Sequence, residues 1–404
     1  MHQESSAVVH KDSVPVLSGL RVLDLGRYIA APYCAHLLAN EGAEVIRVEP
    51  PHGATDREVM PVGVEGRGGL YLQVNSNKKS LTLDFTTDSG RAVLERLIRT
   101  ADVMVVNVPR TALHKLRLDY ESLCRIKSDI ILTSISAFDS HGRDSDRLGF
   151  DGTGQALSGS MYLTGDGQQP TRAAVSYVDY ATAMSAAFAT VTAVLERMRT
   201  GNGQHVSCSL MGTALTMMNP MLMEEASGFR SRRPMGNRSP IAGPSDLFRT
   251  TDGWVMVQII GDAMFRRWAR LMGLPGLLDD PRFKTDSDRG ENGEELSAIM
   301  ADWCKDRTVR QCLDELSENR LPACRCLTPA ETLNFKGFED YVENVSMEEN
   351  GDPLPLVTRS IHTRSSDSTE SRMAPELGAD TAELLSGLGI DEGEFQQLRA
   401  RGVI

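Results

Sequence analysis

A strand, a helix and a second strand follow one another within residues 20–48, and this unit limits the possible folds more than any other feature of the sequence. The apolar runs Leu20–Leu25 and Ala43–Val48 flank the helical segment Ala31–Asn40, which has Pro32 in its first turn. Proline is tolerated there because the missing N–H has no helical partner. Two strands joined by a crossover helix are parallel. The sequence therefore predicts a parallel sheet.

The same alternation continues along the chain and predicts a doubly wound α/β domain of the Rossmann type. Further strands are predicted at residues 80–85, 102–106, 130–135 and 205–210, with a helix at 90–100. The longest predicted helix is Tyr180–Arg199. Its large apolar residues recur at spacings of three and four, which places them on one helical face: Met184, Phe188, Val191, Leu195 and Met198.

The pattern changes after residue 217. Residues 220–238 combine prolines, glycines and arginines without periodicity, which is typical of a linker. A strand at 254–260 and helices at 263–272 and 294–305 then predict a smaller α+β domain, and helices at 379–388 and 391–401 end the chain.

Bulk composition excludes several classes of function. The 404 residues suggest two domains, and 41% are hydrophobic. A net charge of −12 argues against nucleic acid and anionic membranes as partners. The polar first residues lack the apolar core of a signal peptide, and no run approaches the length of a membrane span. Seven scattered cysteines do not form a disulfide or zinc pattern. We therefore expect a cytoplasmic protein with reduced thiols.

Common cofactor and metal motifs are absent. The turn after the first strand, Gly26–Ala31, contains one glycine, whereas a dinucleotide-binding turn has G-x-G-x-x-G. The chain also lacks a P-loop, an H-E-x-x-H helix and a G-x-S-x-G turn. Its eight histidines show no ligand spacing. We therefore predict no metal and no tightly bound cofactor.

Several blocks, in order along residues 17–404, resemble the class III CoA-transferases, the family of formyl-CoA and carnitine CoA-transferases. They include L-S-G-L-R-V-L-D-L from Leu17, N-S-N-K-K-S-L-T-L-D from Asn75, and G-F-D from Gly149. The stretch from Asp179 to Val206 resembles the family segment that contains the nucleophile. Departures occur at Pro50, at Val108–Thr111 and at Ala137–Arg143, where the family has other residues.

The resemblance implies an architecture that composition alone does not. A large domain would be formed by residues 1–220 and 335–404, with a linker at 221–250 and a small domain at 251–334. Two subunits would interlock as rings in a homodimer.

The resemblance also implies the chemistry. Asp179 would be the nucleophile that carries CoA between an acyl-CoA and a free carboxylic acid, both small-molecule partners; CoA thioester would enter as substrate. Asp179 directly precedes the predicted helix Tyr180–Arg199. A simple N-cap residue is therefore the competing interpretation. The expected CoA contacts are Tyr28, Ile29, Lys78, Asn107, Lys115 and Phe138.

Other functions stay open at this stage. An acyl-CoA racemase or isomerase of the same fold needs a proton-transferring base, and it typically has histidine where this chain has Phe150. A non-catalytic CoA-binding protein and a nicotinamide-dependent dehydrogenase are the remaining alternatives.

Overall fold

The computed structural model describes residues 14–63, 65–339, 341–345, 353–357 and 371–404. Residues 1–13, on which the expectation about a signal peptide rests, lie outside this part. The chain forms two compact units. The first contains Met1–Ser158, Ala173–Pro220 and Gly337–Ile404, and the second contains Gly159–Arg172 and Met221–Lys336.

A six-stranded parallel sheet forms the centre of the first unit, as the sequence predicts. Its strands are β1 (Arg21–Asp24), β2 (Glu44–Glu49), β3 (Lys79–Thr82), β4 (Val103–Val106), β5 (Ile131–Ser136) and β6 (His205–Ser209). Their spatial order is β3-β2-β1-β4-β5-β6, and each neighbouring pair is parallel. The direction of winding therefore reverses between β1 and β4.

Helices pack on both faces of this sheet. Those of the first unit are α1 (Ala30–Asn40), α2 (Gly69–Asn75), α3 (Asp88–Thr100), α4 (Arg110–Leu116), α5 (Tyr120–Cys124), α6 (Asp151–Leu157), α8 (Tyr177–Thr200), α15 (Thr381–Gly387) and α16 (Glu392–Ala400). A 3-10 turn spans Thr55–Glu58. Successive strand residues alternate between faces: Val22 packs with α1 and α8, whereas Leu23 packs with α3 and the C-terminal helices.

Helix α8 begins at Tyr177, three residues earlier than predicted, and presents two different faces. Its buried residues are mostly small, such as Ala183, Ala186 and Ala193, which allows close packing against α1 and the sheet. Of the large apolar residues on the predicted face, Met184, Phe188, Leu195 and Met198 are exposed. Only Val191 packs against the core.

The length of α8 corrects one expectation. Its 24 residues are apolar and long enough to cross a membrane by length and composition alone. A core helix of a globular domain satisfies the same criteria, and eight residues of α8 are buried within the unit.

The second unit has a small antiparallel sheet of β7 (Ser245–Arg249), β8 (Trp254–Gln258) and β9 (Ala323–Arg325). Its helices are α7 (Ser160–Thr164), α10 (Asp262–Leu271), α11 (Asp286–Glu291), α12 (Gly293–Cys304), α13 (Val309–Glu318) and α14 (Pro329–Leu333), with 3-10 turns at Pro275–Leu278 and Pro281–Phe283. Fully buried Trp268 and Phe265 lie in its core. In the first unit, β10 (Glu343–Val345) pairs with β11 (Leu354–Leu356).

Two parts of the segment predicted as the linker 221–250 are regular structure. Helix α9 (Leu210–Ala226) runs through Pro220, and strand β7 occupies residues 245–249. Helix α9 escaped prediction because few of its residues are buried, namely Leu210, Ala214 and Met218, so its apolar positions show no clear helical period.

Candidate active site

A cleft of about 270 Å³ opens at the carboxyl ends of β1 and β4, where the winding of the sheet reverses. Ligands of open parallel sheets bind at this position because the two loops diverge and leave a crevice. We call it the Asp179 cleft. Its walls come from the segments after β1, β4 and β5, from the start of α6 and from α8: Arg27, Tyr28, Ile29, Asn107, Val108, Ser136, Ser145, Arg147, Gly149, Phe150, Asp179 and Leu210, among others.

The turn after β1 is held in a strained shape. A Cβ on Gly26 would lie 2.5 Å from the Cβ of Ala31, so this position requires glycine. Tyr28 has φ +63°, an unusual conformation for a bulky residue. Its backbone N–H donates to Asp56 Oδ2 at 2.7 Å. The strain is thus offset by a charged hydrogen bond from outside the turn.

Asn107 fixes the same turn from the other side. Its Oδ1 accepts from the backbone N–H of Arg27 at 2.8 Å, and its Nδ2 donates to the carbonyl of Arg27 at 2.7 Å. Both polar groups of the amide are used, so Asn107 joins the loop after β4 to the loop after β1. In this arrangement Asn107 positions the cleft wall.

Lys78, which the sequence predicts as a CoA contact, lies in the interior of the first unit. Its ammonium donates to Asp24 Oδ2 at 2.6 Å, to the carbonyl of Pro32 and to Asn75 Oδ1, and the side chain is fully buried. Burial lowers the pKa of Lys78 to about 8, against the attraction of Asp24. The hydrogen-bonding capacity of this ammonium is therefore satisfied by three acceptors within the unit.

Asp179 occupies the first turn of α8 and lines the cleft, but it does not cap the helix. The cap is the buried carboxylate of Asp151, whose Oδ2 accepts from the backbone N–H groups of Val178 at 2.8 Å and Asp179 at 3.3 Å. Asp151 is held in turn by Gln155. This arrangement contradicts the simple N-cap interpretation of Asp179. The positive end of the helix dipole still favours its ionised form.

Two arginines and a phenylalanine complete the chemically important walls. Arg27 and Arg147 both line the cleft, and neither guanidinium forms an ion pair with any residue in the described part of the chain. The ring of Phe150 packs edge-on against Tyr28 at 6.0 Å. A phenyl ring cannot exchange protons, so this position supplies no base to the cleft.

A second cavity of about 280 Å³ adjoins the first through Val108, Ser136 and Ser145. His114, His141 and His205 line it. Within the described ranges, no three histidine, cysteine or acidic side chains come together to hold a metal ion. Burial, with a smaller effect of His141, lowers the pKa of His205, which favours the neutral ring.

The cleft brings together four of the predicted site residues, Tyr28, Ile29, Asn107 and Asp179. Lys115 is exposed on α4, and Phe138 lies beneath the guanidinium of Arg147; neither lines the cleft. Sequence reasoning missed the roles of Asp151, Arg27 and Arg147. For Asp151 a signal existed in the G-F-D block, whereas the arginines lie in loops without a motif.

The fold and the cleft define an α/β protein with a crevice at the carboxyl edge of a parallel sheet, beside a carboxylate. Residues 17–381 match the model of CoA-transferase family III. The chain belongs to this family and is a CoA-transferase.

Characterised relatives agree with this assignment along nearly the whole chain. A succinyl-CoA–D-citramalate CoA-transferase from Chloroflexus aurantiacus is 32% identical over 394 residues, covering 96% of this chain and 98% of the relative. A succinate–glutarate CoA-transferase from Agrobacterium fabrum is 31% identical, covering 93% and 96%. Among solved structures, a CAIB/BAIF family protein from Brucella suis has a TM-score of 0.79 at 29% identity, covering 93% and 100%.

The buried position of Lys78 generates a test. Lys78→Ala leaves the carboxylate of Asp24 buried without its partner, which typically costs about 3–5 kcal/mol. Lys79→Ala is the matched control, because Lys79 forms partly exposed ion pairs with Glu44 and Glu383, worth less than about 1 kcal/mol. We expect a large fall in the urea midpoint only for Lys78→Ala. An unchanged midpoint with a raised KM for acyl-CoA would instead return Lys78 to the CoA site.

Proposed function

We propose that this protein transfers CoA from an acyl-CoA to a free carboxylic acid through covalent intermediates on Asp179. The observation that carries the proposal is the position of Asp179: it lines the cleft where the sheet reverses, while Asp151 takes over the capping of α8. A carboxylate, which can attack a thioester, therefore lies in the cleft.

The proposed reaction conserves charge and needs no oxidant. The Asp179 carboxylate attacks the thioester carbon, the C–S bond breaks, and a mixed anhydride and CoA thiolate form. The thiolate attacks the aspartyl carbonyl and releases the first acid as its carboxylate. The incoming carboxylate then attacks the aspartyl carbon of the enzyme thioester, the C–S bond breaks, and a second mixed anhydride and CoA thiolate form. The thiolate attacks the acyl carbon of the incoming acid, and the anhydride C–O bond to Asp179 breaks. Asp179 leaves the cycle as a carboxylate.

Dicarboxylic acids are the proposed substrates. The relatives are named for succinyl-CoA with citramalate and for succinate with glutarate, and a Haloarcula hispanica relative, 31% identical, is named for mesaconate. The two unpaired arginines of the cleft fit acids that retain a second negative charge. We propose that Tyr28, Ile29 and Asn107 border the bound thioester, with no tightly held cofactor.

The racemase or isomerase alternative is weaker than transfer. It requires a base beside the thioester, and Phe150 occupies the position at which that branch has histidine. A dehydrogenase is also disfavoured, because its pyrophosphate needs a glycine-rich turn and the turn here presents Arg27 and Tyr28.

We also propose that the active molecule is a homodimer of the interlocked kind that the family resemblance implies. The exposed apolar face of α8 supports this, since Phe188 and Met198 are each 77% exposed in the single chain. Contiguous apolar surface of this sort normally marks an interface, and a second copy of the same chain is the proposed occupant.

The mechanism predicts the behaviour of Asp179→Asn. The neutral amide cannot attack, so incubation with succinyl-CoA should give neither a CoA adduct in the intact mass nor CoA transfer. The fold should be retained, because Asp151 caps α8. The free energy of unfolding should therefore change by no more than about 0.5 kcal/mol. Asp166→Asn, on an exposed turn, is the matched control with full activity. Wild-type transfer by Asp179→Asn would exclude the aspartyl intermediate.

The dimer proposal predicts the effect of a charge on α8. Phe188→Glu would bury an unpaired carboxylate in the interface, so it should yield monomer or unfolded chain in light scattering and circular dichroism. Phe188→Leu keeps an apolar side chain and should remain dimeric. A folded Phe188→Glu dimer, or a wild-type protein that is monomeric at micromolar concentration, would contradict the proposed interface.

A further inference from the structure

The guanidinium of Arg147 packs against an aromatic ring and forms no ion pair with the described residues. It lies 5.1 Å from the centre of the Phe138 ring and lines the Asp179 cleft. Within the described part of the chain, no carboxylate lies within ion-pair distance of it. Stacking on an aromatic face restricts an arginine but leaves its outward N–H groups available for a bidentate anion.

The loop that contains Arg147 is held by a turn of its own and by one hydrogen bond to α4. The Arg147 backbone N–H donates to the carbonyl of Asp144 at 2.9 Å, and Asp146 Oδ1 accepts from the N–H of Thr111 in α4 at 3.1 Å. Beneath the guanidinium, Phe138 is almost completely buried. The charge is therefore presented from a supported position beside the cleft.

Arg27 is the other cation of the cleft, but its side chain is held differently. Only its backbone is fixed, by Asn107, and no aromatic ring in the described structure packs against its guanidinium. Both guanidinium groups are exposed, and the one that packs against no ring loses more conformational entropy when it binds a ligand. Of the two, Arg147 is the better organised for a specific contact.

We propose that Arg147 binds the distal carboxylate of a dicarboxylyl-CoA and thereby selects dicarboxylic over monocarboxylic acyl groups. The inference rests on the proposed transferase function and names the residue that would set its substrate class. One carboxyl group of such a substrate reacts at Asp179, and the other stays ionised. A charge-assisted bidentate contact suits that second group, whereas a methyl terminus gains nothing from it.

Succinyl-CoA and butyryl-CoA provide the test, because they have equal chain length and differ in a terminal carboxylate against a methyl group. The measured quantity is the second-order rate constant for formation of the enzyme–CoA adduct in the absence of any acceptor acid. The adduct is detected by intact-protein mass spectrometry and by release of the free acid. Wild type, Arg147→Gln, Arg147→Lys, Arg27→Gln and Arg143→Gln are compared. Arg143 is an exposed arginine of the same loop that does not line the cleft.

We expect wild type to prefer succinyl-CoA and Arg147→Gln to lose about 10- to 100-fold with succinyl-CoA but less than about threefold with butyryl-CoA. Arg147→Lys should retain part of the preference, and Arg143→Gln should behave as wild type. Equal losses with both thioesters would assign Arg147 to the CoA moiety and overturn the inference, as would a selective loss in Arg27→Gln alone. A wild-type protein that forms an adduct with neither thioester would overturn the transferase mechanism itself.

Discussion

The buried ion pair between Arg47 and Asp56 is the interaction on which the cleft depends. Arg47 is 1% exposed, and its guanidinium donates to both oxygens of Asp56 at 2.9 and 3.0 Å. Burial opposes the charge, but Glu49 and Asp56 together raise the pKa of Arg47. A buried charge is tolerated only when it is paired this closely. Because Asp56 also accepts from the strained Tyr28, the interior pair sets the shape of the cleft wall.

The N-S-N-K block continues this interior network. Asn75 Oδ1 accepts from both Arg47 and Lys78. Asn77, with φ +64°, exchanges backbone and side-chain hydrogen bonds with Arg372. The block therefore ties β2, α2 and the C-terminal segment together. In this chain its role is to support the sheet from inside.

Sequence reasoning could predict the parallel sheet because each strand is a short apolar run separated by helical segments, and the crossover rule leaves few arrangements. It could also place Asp179 at the start of the long helix α8. It could not predict that Lys78 points inward, because a lysine between strands is usually solvated and only Asp24, 54 residues away, makes burial possible. The sequence also could not predict that Arg147 lines the cleft. Its contact with Phe138 depends on a loop conformation that no periodic pattern indicates.

Helix α8 contributes to both the Asp179 cleft and the proposed dimer interface. Its small residues allow the helix to lie close to the sheet, which brings Asp179 to the carboxyl edge of the strands. Four large apolar residues lie on the outer face instead: Met184, Phe188, Leu195 and Met198. A helix that is apolar on both sides needs a second partner. If that partner is another copy of the chain, as proposed, dimerisation covers the helix that carries Asp179, the proposed nucleophile. Loss of the interface would then loosen Asp179 and Asp151 together, so activity and assembly should fail at the same protein concentration.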